Sequence, residues 1–393
     1  MNKQTIKTWL PAFTGMCCMA FGSGIMSIYG FFVDPLSQEF GVGAAVLNTG
    51  PIALLLVPAF LGAVIGKMAD RLPVRNIMLA GASLSMFALI AIGLAPTLVW
   101  VALGFFSFSL GMSMYGPVVV NGMLVKLYPG REARALALAA IGMSVASIIL
   151  PPLIGSLMAY FDWRLALQIM AASLLVVLWG MILAGTPRGV VDTGGDSEAP
   201  VAGAFYRVKA FWLIGLSVAL GLNVMIVLSV CYPPFFIGRG YTVADAGWFL
   251  AIAGVAGLSG KSLLAWQGDA VRNHVKWLAA CLLLLNAVGL GWLYLSADTS
   301  QVIAALVLTG ASTGAFIPMH SYLNSRYFDA SIISQVTGAQ MPLFLPFGLT
   351  GAPLAGYVFD QTGNYDVVIL ALSGILVLAA VMIVCTPAAT TQR

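Results

Sequence analysis

Long apolar runs separated by short polar breaks dominate this chain. A helix that crosses a bilayer needs about 20 mostly apolar residues. Twelve runs of that order can be marked: 10–33, 44–66, 77–96, 98–125, 134–160, 164–186, 209–233, 244–266, 277–296, 301–323, 334–358 and 365–385. Breaks such as Arg71-Leu72-Pro73 and Asp298-Thr299-Ser300 divide them. Strands of a membrane barrel would alternate every second residue over about ten. These runs are twice as long and do not alternate, so the pattern predicts an all-α membrane protein. The polar stretch from Thr186 to Arg207, which holds Gly194-Gly195-Asp196-Ser197-Glu198, is the only long hydrophilic segment and divides the runs six and six. It predicts an N-terminal six-helix bundle over 1–186, a cytoplasmic linker over 187–208 and a C-terminal six-helix bundle over 209–393.

Composition agrees. The 393 residues are 60% hydrophobic and 8% charged, with mean hydropathy +0.98, whereas a soluble domain carries about 25% charged residues. An aqueous fold of this length would lack a polar coat. The net charge of +4 is not gathered into a basic, aromatic-interleaved patch, so a nucleic-acid partner is not expected. Placing both termini in the cytoplasm puts all but three of the 18 lysines and arginines on that side, as the positive-inside rule requires. Arg164 and Arg239 fall outside, and Lys261 lies within a run. Lys3 and Lys7 precede an apolar run too long for a cleavable signal, which predicts a retained first span. The expected location is the cell (inner) membrane, multi-pass, in a lipid bilayer. Cys17, Cys18, Cys231, Cys281 and Cys385 lack metal-ligand spacing and read as small buried hydrophobes. No metal or other cofactor is expected.

The two halves resemble each other weakly at an offset of 199. Gly66, Asp70 and Arg71 precede the third run; Ala265 and Asp269 occupy the matching places before the ninth. Paired six-helix halves with binding at their interface are a transporter design. Gly66-x-x-x-Asp70-Arg71 with Arg75, between the second and third runs, resembles the signature of the major facilitator superfamily, with Pro73 where that motif usually has Gly. Other elements resemble the branch of monocarboxylate transporters and oxalate/formate antiporters. They are Tyr29-Gly30-Phe31-Phe32 with Pro35-Leu36 and Glu39-Phe40-Gly41, Tyr115 with Lys126 and Tyr128-Pro129-Gly130-Arg131, Pro151-Pro152-Leu153, Asp162-Trp163-Arg164, Gly260-Lys261 and Arg326-Tyr327-Phe328. The resemblance covers nearly the whole chain. It implies a major facilitator fold, alternating access, a small organic anion as substrate and a cytoplasmic gate at Asp70, Arg71 and Arg75.

Lys261 is the first candidate for substrate binding. Eight residues before Asp269 on a helix, it lies about 12 Å inside the cytoplasmic loop, where a cation is costly and by default marks a functional site. The alternatives are snorkelling to the interface or an ion pair, and no Asp or Glu lies in the middle of any run. In the resembling family an arginine at this place binds the substrate carboxylate. Lysine is a compact point charge that can titrate, unlike arginine. An empty dry cavity disfavours its charged form and an entering carboxylate restores it, so anion and proton would bind together. His320 is the only histidine inside a run; the near-neutral reference pKa of a histidine side chain makes it a second candidate for the proton, with a structural hydrogen bond as the alternative. Thr313, Phe316 and His320 share a helical face by spacing, and the offset maps His320 onto Asn121. Tyr29, Tyr115, Asn121, Asn223 and Gln340 complete the substrate-binding candidates, although interhelical hydrogen bonds would equally satisfy them. Tyr115 and Asn121 fall on different faces.

No phosphate-binding loop, His-Glu-x-x-His or nucleophile triad appears, so neither ATP-driven pumping nor enzyme chemistry is expected. The reading is a secondary transporter of a small lactate-like monocarboxylate, coupled to a proton, working as a monomer. Two alternatives stay open: an exporter of hydrophobic or drug-like compounds, and a non-transporting sensor with a transporter fold.

Overall fold

The computed structural model describes residues 3–42, 52–189 and 204–387. Part of the run 44–66, most of the linker 187–208 and the last residues of the chain lie outside the described residues. Among the described residues the structure is helical and contains no strand. Among the described residues, nine stretches are long and apolar enough to cross a membrane. One of them, 245–295, takes in two of the marked runs, joined by the short 3-10 segment Gly268–His274.

Several runs that read as single helices are interrupted, and prolines explain most of the breaks. The first run continues as α1 (Lys3–Ile28) and α2 (Gly30–Phe40), with Tyr29 between them. After α3 (Ile52–Arg71) and α4 (Val74–Gly93), the fourth run divides into α5 (Leu98–Tyr115) and α6 (Pro117–Leu127). Gly116 is extended there (φ −83°, ψ −164°), and Pro117, which has no N–H to offer, opens α6 at the one position where a helix loses nothing by it. α7 (Glu132–Tyr160) is continuous. The sixth run comprises α8 (Trp163–Ser173), the π-helical turn Leu174–Leu178 and α9 (Trp179–Gly185).

α10 (Lys209–Gly238) and α11 (Val243–Gln267) follow, the latter opened by a reciprocal cap between Thr242 and Asp245. Next come α12 (Val275–Leu295) and α13 (Thr299–Phe316). Pro318 then separates α13 from α14 (Met319–Tyr327), so the tenth run is two helices. The face proposed for Thr313, Phe316 and His320 is therefore interrupted between Phe316 and His320. The eleventh run is α15 (Ile333–Gln340), the 3-10 segment Met341–Phe344 with Pro342 in it, and α16 (Leu345–Thr362); α17 (Asp366–Val384) ends the described fold.

The helices gather into two compact units. The first comprises Met1–Pro129, Leu138–Ser197 and Ala330–Met341; the second comprises Gly130–Ala137, Glu198–Asp329 and Pro342–Arg393. α15 therefore packs with the first unit, against α3 and α6, and the opening turn of α7 packs with the second. Backbone-to-backbone approach makes the α3–α15 contact possible: a Cβ on Gly62 would stand 2.9 Å from the Gly338 carbonyl oxygen. Cys18 and Cys231 are buried as expected, whereas Cys281 and Cys385 are exposed. An apolar thiol at membrane depth can face hydrocarbon as readily as protein, which composition does not distinguish.

Candidate functional site

In the second unit, α11 carries Lys261, 5% exposed. Glycines bring this helix against α13: a Cβ on Gly257 would stand 3.3 Å from the Gly310 carbonyl, and one on Gly260 would collide with the Ala311 carbonyl. The residue before the lysine is thus fixed as glycine by packing, and it sets where Lys261 sits along α11. His320, 6% exposed, is the second residue of α14. Its ring lies 5.6 Å from that of Phe344. Asn223 of α10 donates from Nδ2 to the carbonyls of Ala219 (2.8 Å) and Phe344 (3.2 Å). Two of the candidate side chains are therefore joined through Phe344, which sequence reasoning passed over. No residue in the sequence marked it: the missing N–H groups of Pro342 and Pro346 free carbonyls three or four residues earlier, not that of Phe344. Asn286 was missed as well. This amide in the middle of α12 is buried and donates to the Thr313 hydroxyl at 2.7 Å.

In the first unit, Tyr29 sits at the α1–α2 break and packs edge-on against Phe105, ring centroids 5.4 Å apart. Tyr115 ends α5 and is fully enclosed, as is Gln340 at the end of α15; Asn121 of α6 is half-buried. Tyr29, Tyr115, His320 and Gln340 all stand at or beside helix breaks, where transporter helices free backbone groups for ligands. The breaks also test the repeat. Pro117 and Pro318 are two residues further apart than the offset of 199, which moves His320 off the position equivalent to Asn121.

The loop motif resolves into separate partners. Asp70 takes Lys126 Nζ at 2.7 Å and the backbone N–H groups of Ser334 (3.3 Å) and Gln335 (2.8 Å). Its carboxylate thus caps the N-terminus of α15 while neutralising a buried lysine. Arg75 instead donates to the carbonyls of Leu183 and Thr186, 2.6 Å each, at the end of α9. Arg71 is exposed. In the second unit, Asp269 caps α7 through the N–H groups of Ala133 (2.9 Å) and Arg134 (3.4 Å), and Arg272 pairs with Glu132 at 3.0 Å.

The two arginines that depart from the charge bias have a common structural role. Arg164 donates to the carbonyls of Gly93 (2.6 Å) and Ala95 (3.0 Å) past the end of α4 and pairs with Glu39, whose other oxygen takes the Trp163 indole at 2.8 Å. Arg239 donates to the carbonyls of Leu293 (3.0 Å) and Tyr294 (2.8 Å) at the end of α12 and pairs with Asp366 at 3.1 Å. Each donates to carbonyls at a helix end, where the helix ladder runs out of donors of its own.

A family model described as "Major Facilitator Superfamily" matches residues 12–285. The chain belongs to the major facilitator superfamily. This member of the superfamily is 24% identical over 389 residues to rat monocarboxylate transporter 13, across 94% of this chain and 88% of that protein. It is also 24% identical to human monocarboxylate transporter 11, across 94% and 81%. Among solved structures, the proton:xylose symporter XylE superposes with a TM-score of 0.77 at 14% identity, covering 98% of this chain and 97% of that one. This superfamily protein is a multi-pass membrane transporter and not an enzyme.

Proposed function

We propose that this transporter carries a small, lactate-like monocarboxylate together with a proton, by alternating access. The observation that carries the reading is Lys261: a cation only 5% exposed on a helix otherwise apolar enough to cross a membrane. A charge held at that depth is expensive unless a ligand or partner recovers the cost. One such cation suits one carboxylate. The relatives named as monocarboxylate transporters along nearly the full chain support the same substrate class. His320, packed on Phe344, is a polar group of the same unit that the anion would meet; Asn223, whose N–H hydrogens go to the Ala219 and Phe344 carbonyls, holds Phe344 in place. Tyr29, Tyr115, Asn121 and Gln340 are the further binding candidates, in the first unit. In this reading Lys261 or His320 takes up the proton, and Asp70 with Lys126 forms the cytoplasmic gate, with Arg71 and Arg75 beside it. The orientation has both termini in the cytoplasm of a cell whose inner membrane holds the protein as a monomer.

The test is uptake of a labelled monocarboxylate panel into proteoliposomes under an imposed pH gradient. Wild type should take up one acid when the interior is alkaline, and Lys261→Ala should abolish that uptake. Lys261→Arg separates the two proton carriers: uptake that loses its dependence on the proton gradient assigns the proton to Lys261, since arginine does not release its own, and uptake that keeps it assigns the proton to His320. If wild type moves none of the acids, the substrate class is wrong and apolar compounds become the next panel.

A further inference from the structure

The second unit holds a cavity of about 260 Å³ between α10, α16 and α17. Its floor is buried, with Leu220, Val224 and Val227 on α10 and Leu372 on α17, whereas its rim residues Leu354 and Val367 are 60% and 52% exposed. The helices that line it are apolar enough to lie in a bilayer, so the rim can meet hydrocarbon. Two polar side chains reach the lining, Asn223 and Thr350. The Thr350 hydroxyl already donates to the Pro346 carbonyl at 2.5 Å. Asn223 is 5% exposed and commits both Nδ2 hydrogens, to Ala219 and Phe344. Its Oδ1 accepts no hydrogen bond among the described residues. An amide oxygen left without a donor in an apolar site costs free energy that a ligand's donor would recover.

We infer that this cavity is a second binding site, entered from the bilayer, for a neutral aliphatic chain whose head group donates a hydrogen bond to Asn223 Oδ1. A primary alcohol or an undissociated carboxylic acid has that chemistry. A charged head does not fit, because the lining offers no counter-charge. The α10 wall runs from Leu220 to Val227, about 10 Å of helix, which suits one short chain rather than a whole phospholipid. Asn223 also holds the Phe344 carbonyl, and Phe344 packs on His320, so an occupant would touch a residue of that same small group. The site stands independently of whether Lys261 binds a carboxylate.

A photoreactive octanol applied to the full-length protein in nanodiscs tests this, with adducts mapped by peptide mass spectrometry. Adducts should concentrate on α16 and α17 near Leu354 and Val367, and excess octanol should suppress them. Octanoic acid should compete only as its undissociated fraction rises. Filling the mouth with Ala371→Trp, or with Leu354→Trp as an independent variant, should lower labelling about tenfold, and Asn223→Leu should weaken it. Lys261→Ala should leave labelling unchanged, which separates this site from the carboxylate reading. Adducts spread evenly over membrane-exposed helices would overturn the inference, as would labelling unaffected by either filled variant. So would octanoate competing equally at every pH, or a photoreactive phospholipid tail that labels the same residues and resists displacement by octanol.

Discussion

Asp70 and Asp269 occupy matching places in the two halves, and each caps the N-terminus of a helix, α15 for one and α7 for the other. Their surroundings differ. Asp70 and Lys126 form a 2.7 Å ion pair whose side chains are 4% and 2% exposed. Asp269 lies 3.9 Å from Arg134, with side chains 17% and 45% exposed, and Arg134 turns its guanidinium chiefly to the carbonyls of Ala265 and Trp266. The two matching places thus share their backbone chemistry, the carboxylate on a helix N-terminus, and differ in their charge chemistry. In the first unit the pair is sealed, so losing one partner strands a buried charge. In the second, water screens the pair and the cap does the greater share.

That contrast can be broken experimentally. Lys126→Met should destabilise the protein by about 3–5 kcal/mol, read as denaturant or thermal unfolding in detergent. The double variant Asp70→Asn with Lys126→Met should recover part of the loss, because no unpaired charge remains. A loss below that of the Asp269 variants would remove the distinction between the two sites. Asp269→Ala should cost about 1 kcal/mol, the usual worth of an N-cap. Arg134→Ala should cost less, about 0.2–1 kcal/mol, and that loss should shrink further in high salt.

The smallest effect concerns a carboxylate cap outside the spans. Asp298 opens α13 and accepts from the Ser300 hydroxyl (2.6 Å) and the Gln301 N–H (2.9 Å). The hydroxyl first, and then the N–H, hold its carboxyl below the ordinary carboxylate value. The sign follows: the folded state holds its proton less tightly than the unfolded state, so the cap's contribution is complete above the unfolded value of about 3.9. It is lost as pH falls through the lowered folded value. Asp298→Asn should therefore leave stability near neutrality almost unchanged and flatten the acid limb of the unfolding profile.

Much of the fold was legible because a membrane permits few solutions. Runs of about 20 apolar residues can only be helices or core at that depth, and the motif around Asp70 pointed to the family that the comparison shows. Interruptions were less legible. The runs 98–125 and 301–323 read as continuous, although Pro117 and Pro318 were visible, because a proline can kink a membrane helix without ending it. Within the candidate site, Lys261 and His320 stood out as rare titratable side chains in apolar sequence. Phe344 and Asn286 did not, since an aromatic or an amide in a long run has several uses and only its neighbours select one.

The amino-acid order by itself settled the solvent of this protein, its helical class, its superfamily and which side chains are too costly to be buried idly. Those properties follow from local composition and spacing. The tertiary structure decided the partners: that Asp70 meets Lys126 and α15, that Arg164 and Arg239 cap helix ends, and that Asn223 holds the Phe344 carbonyl beside an apolar cavity. Each of these joins residues tens to hundreds of positions apart. Apolar helices attract one another without direction, so only the close approach of particular glycines and the demand that each buried polar group find a partner choose among the ways they could pack.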